Sequence, residues 1–581
     1  MTNYYSNEPD MLQLVALLKA HNIRKAVVSP GSTNISFAAC LLYDRDIEVY
    51  SCVDERSAAY MACGLAAETG EPVIISCTGA TAARNYPSAL TEAFYRKLPV
   101  LAVTSSQHFG RVGHYIPQVT DRTNPMNDIF VKSVQIPIAH SDEDRWSNNV
   151  KINEALLELR HNGGGPVHIN IETAFSKVFD EKKLPEVRVI RRVTVDDKFP
   201  RITASKVAVF VGSHPPFSEE LTRSIDRFCM ANNAVVVCDH TSNYKGEYRV
   251  LGGIVERQIG YNPSCRNFDL VIHIGEMSGA YYRFPNTNVW RVNPDGVVRD
   301  PFKGLSYVFE MSEQRFFDNY NNSEKKHKKD NTSYSEWKEE EAKLYSALGE
   351  LPFSNAWIAQ QATGKLPPNS EIHFGILNSL RMWNLFDVPS SVYGYCNVGG
   401  FGIDGSISTV LGASLANKEK LFFLVLGDLA TFYDLNVLGN RHFGNNVRIM
   451  VVNNGTGFEM RHRTNRGDVF KEDSDILFAA GGHFGNQSRS ILKNFTTDLG
   501  FEYMACESKD DVLDNLPRFL SSERYDKPLF MEVFMNVDEE YEAFEKTQCV
   551  FQSSTSVAKN TVKTILGEKG VQTVKGLLGK K

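Results

Sequence analysis

The sequence predicts an α/β protein made of three doubly wound parallel-sheet domains, and three observations carry that prediction. Short apolar runs alternate with helical stretches along most of the chain. Runs such as Val73–Cys77, Val207–Val211 and Leu421–Gly427 are apolar without polar alternation, the pattern of strands buried on both faces. Polar or glycine-rich turns follow them, at the edge where open α/β sheets bind ligands.

With 581 residues there is room for three or four domains, each with its own core. Charged residues at 23% and hydrophobic ones at 42% are ordinary for a soluble globular protein, and a net charge of −6 gives no nucleic-acid footprint. The ten cysteines show no CxxC or paired spacing, which argues against a zinc site or disulfide framework and fits a reducing cytoplasm. The first residues carry no basic region before a long apolar run, so no signal peptide is expected, and no apolar stretch reaches membrane-spanning length.

Residues 1–180 form the first expected domain. Met11–His21 reads as a helix, Lys25–Val28 as a strand ending in Ser29-Pro30-Gly31-Ser32, and Ile47–Val53 as a second strand. A helix from Glu55 to Thr69, strands at Val73–Cys77, Val100–Thr104 and Val167–Ile171, and a turn at Thr78–Ala80 complete it. Glu181–Pro200 reads as a charged linker within a central domain, 181–335, whose strands are Val207–Val211, Ala234–Cys238 and Leu270–Ile274. Asn321–Thr332 reads as a solvated linker. A third domain spans 336–545. The tail, 546–581, includes a stretch from Val557 with six lysines against one glutamate. Its composition suits a solubilising tail, a segment docking on a partner or subunit, or membrane-surface contact, and its glycines weaken a helix.

The third domain carries the chemistry. An apolar run ends in Gly427-Asp428, and a second, Val447–Val452, ends in Asn453-Asn454. Two neighbouring parallel strands would present the Asp428 carboxylate, the Asn454 amide oxygen and the Thr456 carbonyl together. Oxygen ligands of this kind suit Mg²⁺, which takes its remaining ligands from water and phosphates. Alone, such a Gly-Asp is an ordinary turn.

The spacing of Gly-Asp and Asn-Asn resembles the diphosphate–Mg²⁺ signature of thiamine diphosphate (ThDP) enzymes. Leu429 stands where most of those families have a second glycine, and Gly-Asp-Leu followed by Tyr433-Asp434-Leu435-Asn436 is similar to one branch, the SEPHCHC synthases of menaquinone synthesis (MenD type). The first domain, with Ser-Pro-Gly-Ser, Asp54-Glu55-Arg56-Ser57-Ala58-Ala59 and Thr78-Gly79-Ala80, resembles the pyrimidine-binding domain. The run from Arg291 to Pro301 resembles the central domain. The resemblance spans roughly Met11 to Val537 and implies ThDP and Mg²⁺ as cofactors. It makes Glu55, otherwise a carboxylate favoured at a helix start, the catalytic acid on the aminopyrimidine ring. Ile403 becomes the residue that bends the cofactor. Thr78, Gly79, Asn85, Gly402, Gly427, Leu429, Ala430, Gly457 and Phe458 fall at cofactor-binding positions, and Asp428, Asn454 and Thr456 at the metal. It also implies a homodimer or homotetramer, one subunit's Glu55 domain facing another's diphosphate domain.

The family's substrate positions depart. Where it has arginines for substrate carboxylates, this chain has Thr33, Trp383 and Val398, and Ser106-Gln107-His108 replaces an Asp-Arg-Pro. The central-domain basic pair aligns with Ala280-Tyr281. Bidentate arginine contacts are hard to replace, so the losses argue for another substrate. Ser32, Thr33, Gln118 and Ser379 remain candidate substrate contacts. Glu459, in place of an apolar residue, is a candidate second acid/base group. Arg461, Arg463 and Arg466 are candidates for an anionic substrate group, or else a solvated loop. No flavin fingerprint is present. The expected activity is decarboxylation of a 2-oxoacid through a C2 ylide, followed by protonation or carboligation to an acceptor. The alternatives are a genuine SEPHCHC synthase using 2-oxoglutarate and isochorismate, and a catalytically silent ThDP-fold binding protein.

Overall fold

The computed structural model describes residues 4–280, 282–323, 331–462, 464–483 and 487–551. Arg463, Tyr281 and the basic tail lie outside them. Three wholly parallel sheets with interleaved helices confirm the α/β expectation.

The chain clusters into two compact units, Met1–Phe199 with Pro294–Glu310, and Pro200–Asn293 with Met311–Lys581. This division differs from the expected one at 180. Glu181–Pro200 is not merely a linker: Glu181 bridges Tyr5, and Arg191–Val193 is a strand paired in parallel with Leu305–Phe309. That pairing draws 294–310 into the first unit.

In the first unit, β1 (Lys25–Val28), β2 (Glu48–Ser51), β3 (Val73–Thr78), β4 (Val100–Ser106), β5 (Lys132–Ile136) and β6 (Val167–Glu172) lie in the order β2-β1-β3-β4-β6-β5. Two apolar cores cover its faces. One gathers Leu14, Leu17, Phe37 and Leu156 from three helices against Ile74 and Leu101; the other gathers Ala58, Ala62, Ala89 and Leu90 against Ile75 and Ala102. Each fully buried Leu or Ile contributes about 1.5–3 kcal/mol. The helix Glu55–Thr69 begins where the Asp54 side chain accepts from the Ser57 N–H at 2.7 Å and ends at Gly70, φ +67°. Glu55 is thereby fixed in the first helical turn, just beyond β2.

The second unit holds two sheets. After β7 (Arg191–Val193) of the first unit come β8 (Val207–Val211), β9 (Ala234–Cys238), β10 (Arg249–Leu251), β11 (Leu270–Ile274) and β12 (Asn288–Val292), in the order β10-β9-β8-β11-β12. With β13 (Leu305–Phe309) counted in the first unit, the last sheet comprises β14 (Glu371–Phe374), β15 (Tyr393–Cys396), β16 (Phe422–Gly427), β17 (Val447–Asn453), β18 (Glu502–Cys506) and β19 (Leu529–Phe534). Its order, β15-β14-β16-β17-β19-β18, repeats that of the first sheet strand for strand. The turn after β3, with Thr78-Gly79, is thus the topological counterpart of Gly427-Asp428 after β16. Buried His240 holds the last two sheets together, its Nε2 lying 2.9 Å from the Trp383 carbonyl and 3.0 Å from that of Phe386.

Candidate active site

The β16–β17 register pairs Gly427 with Val452, so Asp428 and Asn453-Asn454 emerge side by side at the carboxyl edge. A cleft opens there, at the switch point where the chain passes from β14 outward to both neighbours. Ser379, Ile403, Gly427, Asp428, Leu429, Ala430, Asn454, Thr456, Gly457, Phe458 and Glu459 all line it, so the structure gathers most of the expected residues of this domain. Gly402 adjoins Ile403 in the chain without lining the cleft.

Local chemistry explains the placement. Thr431 Oγ1 donates to the Gly427 carbonyl at 2.9 Å, securing the helix Asp428–Tyr433. In the Tyr-Asp-Leu-Asn run, Asp434 accepts from the N–H and the hydroxyl of Ser408, both at 2.6 Å, and so anchors the helix Ser406–Ala416 just past Ile403. The Thr456 N–H donates to Asn454 Oδ1 at 3.2 Å, and Gly455, φ +71°, turns the loop. Leu377 opens the segment carrying Asn378 and Ser379 at φ +70°, ψ −112°, a strained conformation for a branched residue placed at the cleft wall.

Asp428 is 6% exposed, and no cationic side chain among the described residues pairs with it. Burial pushes its carboxyl up to about 7; the neighbouring backbone N–H groups oppose this and the Glu532 charge adds to it. A buried carboxylate without a counter-charge, beside the Asn454 amide oxygen and the Thr456 carbonyl, suits a hard divalent cation. No cluster of three His, Cys, Asp or Glu side chains among the described residues is placed to hold a metal, and this set needs just one carboxylate.

Glu459 is held differently from a free acid. Arg381 Nη1 and Nη2 lie 2.6 and 3.3 Å from its two oxygens, and His462 Nε2 lies 3.1 Å from Oε1. Burial alone would raise its carboxyl, but His462 and Arg381 outweigh it and bring it down to about 2. So paired, Glu459 is an anion that positions Arg381, not a proton donor near neutrality. Arg381 was not legible as a site residue: it sits two positions before Trp383, where the family's arginine would stand. Trp383 itself is 1% exposed, its Nε1 donating to Asn355 Oδ1 at 2.9 Å, so that position belongs to the core. Of the basic cluster, Arg461 lies 3.5 Å from Asp475 and Arg466 is exposed; neither lines the cleft.

In the first unit, Asn85 Nδ2 lies 3.5 Å from Glu55 Oε2, so these two expected residues meet. Thr78 and Gly79 are buried in the turn after β3. A Cβ on Gly31 would meet Thr78 Cβ at 2.6 Å, so that position requires glycine, and one on Gly79 would displace the Arg122 guanidinium, whose Nη1 lies 2.2 Å away. Thr33 corrects an expectation. It is 2% exposed, its hydroxyl bonded to Thr78 Oγ1 at 2.6 Å and the Ser105 carbonyl at 2.9 Å, which leaves nothing for a substrate. Ser32 and Gln118 are exposed, Gln118 at φ +65°. Gln107 and His108 serve local turns, bonding Arg111 and the Gly110 N–H.

Residues 12–125 match the family model described as "Thiamine pyrophosphate enzyme, N-terminal TPP binding domain". Over 569 residues the chain is 32% identical to a 2-succinyl-5-enolpyruvyl-6-hydroxy-3-cyclohexene-1-carboxylate synthase of Bacteroides fragilis, covering 92% of this chain and 97% of the relative. Synthases of the same name from Phocaeicola vulgatus and Bacteroides thetaiotaomicron are each 30% identical over 566 residues, with the same coverage. With its three parallel sheets and the matched thiamine-binding domain, the chain belongs to the SEPHCHC synthase family of thiamine diphosphate-dependent enzymes.

Proposed function

We propose that this protein is a ThDP- and Mg²⁺-dependent enzyme that decarboxylates a 2-oxoacid and delivers the remaining fragment to a proton or to an acceptor, with substrates other than the menaquinone pair. The observation that carries the reading is the buried, unpaired Asp428 facing a cleft shared with Asn454, Thr456 and Ile403.

Asp428, Asn454 and the Thr456 carbonyl would hold the cation, with the backbone around Leu429, Ala430, Gly457 and Phe458 against the diphosphate. Ile403 would support the bend, and Thr78, Gly79 and Asn85 the pyrimidine end. When bound, ThDP supplies a centre that accepts the electrons left by departing CO₂. Glu55, steadied by Asn85, would hold a proton against the pyrimidine ring. Ser379 would meet the substrate from the cleft wall, and Arg381, presented by Glu459, would supply positive charge close by. Homo-oligomerisation would bring one subunit's Glu55 to another's Asp428, in a cytoplasmic enzyme. No helix among the described residues is long and apolar enough to cross a membrane.

A different substrate is supported by the fate of the arginine positions: Thr33 and Trp383 are buried and hydrogen-bonded within the protein. The second reading, a genuine SEPHCHC synthase, is favoured by similarity that covers 97% of the Bacteroides fragilis relative. The test is CO₂ release from pyruvate, 2-oxoglutarate, phosphonopyruvate and sulfopyruvate, each with and without isochorismate. Turnover of another 2-oxoacid alone supports the proposal; turnover confined to 2-oxoglutarate with isochorismate overturns it in favour of the second reading.

A further inference from the structure

A second cavity lies in the first unit beside the helix Pro87–Tyr95; none of the expected site residues is among its lining, and its Arg122 abuts Gly79. Leu90, Ile129 and Phe130 give it apolar walls, and Arg122, Thr104 and His168 a polar end. Small-molecule sites combine apolar walls with a few placed polar groups in this way.

The charge balance at the polar end is unusual. Arg122 is 7% exposed, yet its hydrogen-bond partners are neutral. Nε and Nη2 reach Asn170 Oδ1 at 3.3 and 2.7 Å, and Nη1 reaches Thr120 Oγ1 at 3.3 Å. Its neighbour Asp121 turns away, its Oδ1 accepting from the Thr123 N–H at 2.9 Å and hydroxyl at 2.6 Å. His168 supplies no counter-charge, since burial pushes it down to about 3 and keeps it neutral between Thr104 Oγ1 at 2.8 Å and Ser133 Oγ at 2.9 Å. Arg84 adds a second cation to the lining, bound through Nη2 to the Asp121 carbonyl. No carboxylate among the described residues forms an ion pair with Arg122. A buried cation without an ion pair is costly, and its hydrogen-bond partners here are amide and hydroxyl dipoles, with the nearby Asp121 charge as a partial offset.

We propose that this cavity binds a small monocarboxylate with an apolar body, its carboxylate pairing with Arg122 and its body lying among Leu90, Ile129 and Phe130. The guanidinium is matched to a carboxylate by its fork geometry, and desolvation strengthens the pair. Dicarboxylates are disfavoured, because the apolar walls leave a second charge without a partner. The proposal does not rest on the proposed reaction.

The test uses the full-length protein with ThDP and Mg²⁺ present. Calorimetry compares benzoate, cinnamate and isovalerate with benzamide, cinnamamide and isovaleramide. At least one acid is expected to bind tenfold or more tightly than its amide, with this preference kept in Arg122→Lys and lost in Arg122→Gln. Photolabelling with 4-azidobenzoate, followed by peptide mapping, reads the position without any substitution and is expected to mark residues between 83 and 130 or His168. Equal affinities of every acid and its amide, undiminished acid binding in folded Arg122→Gln, or labelling elsewhere in the chain would overturn the proposal.

Discussion

Arg381 grips Glu459 through both guanidinium nitrogens, at 2.6 and 3.3 Å, across 78 residues of sequence, while His462 approaches the same carboxylate at 3.1 Å. Behind them, the Arg257 and Arg381 guanidinium carbons lie 5.0 and 5.9 Å from the Phe544 ring centre. One anion thus organises positive charge at the edge of the cleft.

Removing Glu459 takes the carboxylate from a partly buried Arg381, and removing Arg381 leaves Glu459 with His462 alone. Arg381→Met and Glu459→Gln should each lose about 2 kcal/mol in urea unfolding, and the double variant less than the sum, giving a measurable coupling energy. The Glu459 carboxyl lies at about 2, below its unfolded value. The stabilisation it gives is therefore complete above an unfolded value of roughly 4.3 and is lost as pH falls through about 2. Arg381→Met should flatten that part of the acid-unfolding profile.

Asp428 works in the opposite sense. Its folded carboxyl, at about 7, lies above the unfolded value, so the folded state holds the proton more tightly. Without a cation, stability should fall as pH rises from roughly 4 through 7, by an amount on the order of 4 kcal/mol. Thermal melts should show that decline in the wild type, its reversal by Mg²⁺ with ThDP, and its absence in Asp428→Asn, which gains apo-stability and loses the Mg²⁺ response.

Glu55 is partly exposed at the start of a well-capped helix, so its removal should spare the fold. Glu55→Gln should lower kcat by roughly 10²–10⁴-fold with an unchanged melting temperature, the range for a lost proton-transfer group. Near-wild-type turnover would remove Glu55 from the mechanism.

Restoring the family's arginines should damage the protein rather than convert it. Trp383→Arg buries a charge where Nε1 now bonds Asn355, and Thr33→Arg must displace bonds to Thr78 and Ser105. Each should cost about 3 kcal/mol or more in chemical denaturation. A stable Trp383→Arg variant that gained activity on 2-oxoglutarate with isochorismate would contradict the different-substrate reading.

Much of this architecture is legible in the sequence because buried parallel strands are continuous apolar runs. Val207–Val211, Ala234–Cys238 and Leu270–Ile274 form strands with the expected bounds, as does the helix Glu55–Thr69, set by Asp54 and Gly70. Some of the strands the pattern misses are at sheet edges, while Asn288–Val292, Leu305–Phe309 and Glu371–Phe374 are missed inside their sheets. Lys132–Ile136 and Glu502–Cys506 occupy the same terminal place in their two sheets, are only partly buried and carry polar residues. Their signal is weaker for a physical reason: one flank faces no neighbouring strand. The Asp428–Asn454–Thr456 grouping is legible because adjacent parallel strands bring their carboxyl ends together. The Arg381–Glu459 pair is not, since nothing local in either segment specifies a partner 78 positions away. Arg122 is hidden likewise: its burial comes from β6, through Asn170.

The central claim is that Asp428 and its neighbours hold ThDP through a divalent cation. Calorimetric titration of ThDP into the full-length protein, with Mg²⁺ and with the cation chelated, tests it most directly. The account predicts saturable binding that requires Mg²⁺ and releases protons near neutral pH as the raised Asp428 carboxyl ionises. Binding that ignores the chelator, or no binding with Mg²⁺ present, would contradict it.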